Sequence, residues 1–226
     1  GVTTFWGLGK ALPSDNPEVD KMARLILLLF FLTVGIVSGL YVLLTKIKID
    51  NEKMFIKSSG YQLSEMEENV GYSKVNYKKI VDYFKSHLEI KRSDEKELLN
   101  ETLIEGKRPS IETFLHSITE KYTLHTHPLL INVFTSRKNG MKELKSMFPN
   151  SLIIDYQTPG IFLAKKFFDK FSKSDNPQKT NIVFLKNHGL IVSGRNIDEV
   201  IELHEKVLKK LKREYQMCLL MICTKG

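Results

Sequence analysis

The chain has 226 residues, 42% hydrophobic and 27% charged, so it can bury a core and is not disordered over most of its length. Lys and Arg total 34 against 26 Asp and Glu, a formal charge of +8, and six of the basic residues are Arg. A Lys-dominated excess without a basic stripe interleaved with aromatics argues against nucleic acid as a partner; it suits a solvated surface, or attraction of phosphorylated small molecules or an anionic membrane.

Cys218 and Cys223 form no disulfide framework, which fits a reducing, cytoplasmic setting. Because the chain begins at Gly1 rather than Met, it is expected to be a fragment or a trimmed chain.

In chain order, residues 1–20 carry turn signals at Pro13, Ser14, Asp15, Asn16 and Pro17. Residues 25–44, LILLLFFLTVGIVSGLYVLL, follow without a single charge. Twenty such residues would make a helix about 30 Å long, enough to cross a bilayer. A buried core helix, or a strand–turn–strand broken at Gly35 and Gly39, reads equally well. Residues 1–46 are therefore set apart as an atypical N-terminal segment, and 47–226 as the folded domain.

From residue 47 the text alternates short strand and helix signals. A strand is expected at Lys53–Ser58, ending in the Ser59–Gly60 turn. Helical spacing covers Tyr77–Leu88, and a charged helix is expected over Ser93–Leu103 with Ser93 as its cap. Pro109 and Ser110 introduce the helix IETFLHSITEKY. A strand at Tyr122–His127 precedes the apolar Leu129–Phe134 and the amphipathic Gly140–Met147. Ser151–Tyr156 reads as strand, and Thr158–Pro159–Gly160 opens a helix to about Phe171. After a polar loop at 172–180, strand signals at Asn181–Leu185 and Leu190–Ser193 flank Asn187–His188–Gly189. A long amphipathic helix is expected over Ile197–Cys218. This alternation predicts a layered α/β domain.

Three of the six histidines sit where strands should end: His125 and His127 in LHTHP, and His188 in KNHGL. Residues two apart on a strand face the same way, so His-x-His can offer two imidazoles to one divalent metal, with a third from a neighbouring strand. Glu112 and His116, four apart on the expected helix, share a face. One reading makes Glu112 a ligand or base, with His116 as its support; the other makes them a solvated Glu and a packed His.

Taken in order, KRPSIETFLH, LHTHP, TPG-xx-LA and FLKNHGLIVSGRNIDEV resemble the class II aldolase/adducin family over residues 47 to about 211. The resemblance implies a three-layer α/β/α sandwich around a mostly antiparallel mixed sheet, assembled as a homotetramer. It implies one Zn2+ or similar ion per subunit on His125, His127 and His188, with Glu112 as the acid–base group. Phosphate contacts map onto Ser59, Gly60 and Ser110, and Tyr156 is the nearest candidate for a proton donor. The implied activity is lysis or formation of a C–C bond in a small sugar or sugar-phosphate, with epimerisation as a variant. A non-catalytic, adducin-like interaction module is the alternative. The family's G-x-G-G-N-x-S loop has no counterpart here, because its slot holds the apolar run; either that run is a membrane anchor beside a cytoplasmic domain, or the stretch is altered text.

Overall fold

The computed structural model describes residues 42–61, 70–173 and 181–223. Its centre is one sheet of eight strands in the order β4-β3-β2-β1-β5-β8-β7-β6. The strands are β1 (Val42–Lys48), β2 (Lys53–Lys57), β3 (Tyr72–Asn76), β4 (Leu103–Gly106), β5 (Tyr122–Thr126), β6 (Leu152–Ile154), β7 (Ile182–Leu185) and β8 (Gly189–Gly194). All neighbours run antiparallel except β6 and β7. The β1–β2 hairpin turns at Asp50, whose carboxylate accepts the N–H groups of Glu52 and Lys53 at 2.7 Å each.

Among the described residues seven helices flank the sheet: α1 (Tyr77–Ser86), α2 (Asp94–Thr102), α3 (Thr113–Ile118), α4 (Leu129–Ser136), α5 (Gly140–Met147), α6 (Ile161–Ser172) and α7 (Ile197–Cys223). Strand alternation sorts them into two layers. On one face Tyr122, Leu124, Phe184, Leu190 and Val192 pack against α4, α5 and α7, through Ile131, Leu144 and Val207 among others. On the other, Val183, Leu185 and Ile191 pack against α1, α2, α3 and α6, through Phe84, Leu99, Phe114 and Phe167. The chain is thus a three-layer α/β/α sandwich.

Several expectations change in detail. The strand β1 runs through the boundary set at residues 46/47, because its backbone pairs with both β2 and β5. Of the apolar run at 25–44, residues 42–44 open β1, and the rest lie outside the described residues. Among the described residues no helix is long and apolar enough to cross a membrane. The strands β3 and β4 add to the expected set. Ser93 does not cap α2; its hydroxyl donates to the Asp94 carboxylate at 3.0 Å instead. The helix expected over IETFLHSITEKY shortens at both ends to the six residues of α3: it opens at Thr113 without a side-chain cap, and the chain must turn at Thr119 to enter β5.

Candidate metal centre

The first donor, His125, lies on β5 and points to the α3 side of the sheet. On the opposite face of β5, Leu124 enters the core and Thr126 meets His204 of α7 at 2.8 Å. His127 follows two residues later, just past the strand's end. His188 comes from the turn between β7 and β8, where Asn187 takes φ +55° to swing the chain round. Antiparallel pairing of Thr126 with Leu190 brings that turn beside His127.

The approach is so close that Gly189 is required. A Cβ there would stand 2.3 Å from His127 Cδ2 and 2.6 Å from the Thr126 carbonyl oxygen.

Glu112 precedes α3, where the Ser110 hydroxyl accepts its N–H at 3.3 Å. Its Oε2 is 3.4 Å from His125 Nδ1, and its Oε1 is 3.7 Å from His188 Nε2. The His125 and His127 Nε2 atoms are 3.1 Å apart, and the three histidines offer donor atoms all within 4.8 Å of one another. One turn along α3, His116 is fully buried with its ring centroid 5.9 Å from that of His125.

A divalent metal fits this donor set on two grounds. With metal–nitrogen bonds of about 2.0–2.1 Å, two tetrahedral ligands stand about 3.4 Å apart. The His125–His127 spacing matches, while the whole set is looser than a closed site. The second ground is polar satisfaction. Eight buried side-chain polar atoms among the described residues lack a hydrogen-bond partner, and five of them are here: Glu112 Oε2, His125 Nδ1, His188 Nε2 and both ring nitrogens of His116. Leaving one such atom unsatisfied costs about 1–3 kcal/mol, so their concentration marks a place built for a ligand.

Protonation suits it too. Burial, then the charges of His125 and His188, push His127 down to about 3 against the pull of Glu112. Burial and then His125 push His188 down to about 4. Burial alone would raise the Glu112 carboxyl, but the adjoining His125 ring and then the charges of His188 and His116 hold it at about 2. At neutral pH the centre therefore presents the Glu112 carboxylate and the neutral imidazoles of His127 and His188, with lone pairs to give.

Ser110 stands two residues before Glu112, and the Ser58–Pro109 bridge brings the Ser59–Gly60 turn alongside that segment. Ser59 donates its N–H to the Arg108 carbonyl at 2.9 Å, and Ser110 donates its own to Lys57 at 3.3 Å. With these two amides bonded within the chain, an anion there would meet the Ser59 and Ser110 hydroxyls. Gly60, at φ +85°, has open space where a Cβ would stand. Tyr156 is 56% exposed on the loop after β6.

Sequence reasoning missed the need for Gly189, for which the His188–Gly189 pair was a usable signal. It also missed the buried Ser58–Ser73 hydroxyl pair at 2.7 Å, which had none.

The family described as "Class II Aldolase and Adducin N-terminal domain" matches residues 29–213. No curated protein matches the chain by sequence. Among solved structures, the N-terminal class II aldolase domain of a conserved protein from Thermoplasma acidophilum is similar with TM-score 0.72 and 19% identity, over 90% of this chain and 96% of that one. A sugar-phosphate aldolase from Thermotoga maritima is similar with TM-score 0.59 and 15% identity, over 89% and 97%. An L-fuculose 1-phosphate aldolase is similar with TM-score 0.58 and 16% identity, over 93% and 89%. At such identities these likenesses speak to the fold.

Proposed function

Because the chain belongs to the class II aldolase and adducin family, we propose that it is a metal-dependent lyase that cleaves or forms a C–C bond in a small, phosphorylated hydroxy-ketone or sugar. Epimerisation of a sugar-phosphate by the same bond cleavage is the close variant. The observation that carries the proposal is the meeting of buried His125 with partly buried His127, His188 and Glu112 in one cluster.

In this reading His125, His127 and His188 hold one Zn2+ per chain, and His116 backs them from α3. A bound divalent ion supplies the positive charge that the oxygen next to a breaking C–C bond needs, a contribution of several kcal/mol. Glu112, ionised at neutral pH, takes the proton from the carbon beside the ketone in bond formation and returns it to that carbon in cleavage. Enclosure of the carboxylate by three imidazoles keeps it aimed at one place rather than free in solvent. Ser59 and Ser110 would receive the phosphate end through their hydroxyls, with Gly60 leaving open space beside them. The same reading takes the substrate as a sugar-phosphate, the assembly as a homotetramer and the setting as cytoplasmic.

The test uses only the ketone half of the reaction. Zinc-loaded protein is mixed with small hydroxy-ketone phosphates in D2O, and exchange of the carbon-bound proton is followed by NMR. The reading expects exchange, lowered about 100-fold or more in Glu112→Gln. Folded, zinc-loaded protein that exchanges no proton, and cleaves no member of a ketose-phosphate panel, would overturn it in favour of a non-catalytic adducin-like module.

A further inference from the structure

A lysine is a costly residue to bury, yet Lys46 on β1 is fully enclosed. Its Nζ donates to the carbonyls of Thr119 at 3.1 Å and Glu120 at 2.5 Å. These carbonyls form the corner where α3 ends and the chain turns into β5. Lys46 also sits opposite Thr123 in the β1–β5 ladder, on the face that His125 occupies two residues further on. The other bonds of the corner gather around it. Thr119 Oγ1 lies 2.7 Å from Thr123 Oγ1 and donates to the His116 carbonyl at 3.1 Å; Thr123 Oγ1 donates back to Glu120 at 3.3 Å.

The corner matters because of what it joins. On one side the six residues of α3 carry His116, with Glu112 immediately before them; on the other, β5 carries His125 and leads to His127. A helix of fewer than two turns has little rigidity of its own, so the anchoring of its end sets where its other end lies. Two N–H···O bonds persist whether the amine carries two protons or three, which keeps the anchor independent of its charge.

We infer that Lys46 is a positioning residue of the histidine centre: it fixes the α3–β5 corner and thereby the placement of Glu112 and His116 against His125. The inference rests on the proposed function only for what the centre does, and its first test needs neither metal nor activity.

In metal-free protein, the ring Cε1–H signals of the histidines are compared between wild type and Lys46→Met. His204 lies on the opposite face of the sheet and serves as the internal control. The inference expects the His116 and His125 signals to move, the His204 signal to stay, and Lys46→Arg to move them less. Unmoved His116 and His125, or a His204 shift as large as theirs, would overturn it by reducing Lys46 to general support of the fold. Should Lys46→Met not fold, Lys46→Gln, which keeps N–H donors, is read in the same way.

Zinc affinity by chelator competition gives the second readout. It should fall about tenfold in Lys46→Met, the scale of other supporting residues around metals. In a Glu112→Gln background the same change should cost little more, because Lys46 acts through Glu112; full additivity would overturn that route. Wild-type protein that binds no zinc defeats the reading of the centre, while the ring-signal comparison still decides the role of Lys46.

Discussion

A single missing Cβ decides how closely β8 can approach His127. Gly189→Ala would place a methyl 2.3 Å from the imidazole and 2.6 Å from a main-chain oxygen, so either the ring or the turn must move. We expect a loss of about 1–3 kcal/mol in stability and at least about tenfold in zinc affinity, measured by urea unfolding and chelator competition. Gly60→Ala is the informative contrast. Its φ of +85° makes it strained as well, by about 1 kcal/mol, but nothing surrounds the new methyl, so zinc affinity should stay unchanged. Equal effects on zinc from both would show that the approach at Gly189 is not specific. Buried His204 makes a separate, residue-level claim. Burial pulls it from 6.5 to about 4, against the charge of Glu205. The unfolded chain therefore takes up this proton first, so the stability is present above pH 6.5 and is lost as pH falls toward 4. In urea titrations of metal-free protein, wild type should lose about 3 kcal/mol more than His204→Gln between pH 7 and pH 4. Parallel profiles for the two proteins would contradict this.

Among the elements, α3 carries more of the site than its six residues suggest. Phe114 and Leu115 hold it down, 0% and 1% exposed, against α1 and α6. Phe114→Ala should cost about 3–5 kcal/mol by calorimetry or urea unfolding, since the cavity opens in the middle of that layer; a loss below about 1 kcal/mol would mean that α3 is not fixed by this packing. The start of α3 was legible only to within two residues: Pro109 and Ser110 announce it, but the helix opens at Thr113, and the Ser110 hydroxyl accepts the Glu112 N–H ahead of the helix rather than capping it. Its end was not legible. Helical spacing continues through Thr119–Lys121, and only the corner held by Lys46 breaks it. The strands divide in the same way. β5 and β8 stood out through apolar alternation, whereas β3 (YSKVN) and β4 (LIEG) carry too few apolar residues to announce strands at the sheet's edge. The opening of β1 was hidden inside an uncharged run that reads as readily as a helix.

For the molecule as a whole, the layered α/β class was visible in the alternation of elements, and the motif order supplied the sandwich. The sheet order was not visible, although it is what makes the site: β1, β5 and β8 are adjacent at the centre while distant in the chain. Four chemical groups converge only because of that order, which explains why His-x-His alone said little and why His188, 61 residues after His127, completes the set. Convergence also predicts linkage between metal and fold. Zinc at about 100 times its dissociation constant should stabilise the protein by about 2.7 kcal/mol, raising the melting temperature by about 5–10 °C.

The most direct measurement is the zinc content of folded protein after saturation with zinc and removal of the excess. The account predicts one zinc per chain for wild type and close to none for His188→Ala. Well-folded wild-type protein that emerges without metal, or a His188→Ala variant that keeps its full complement, would contradict it.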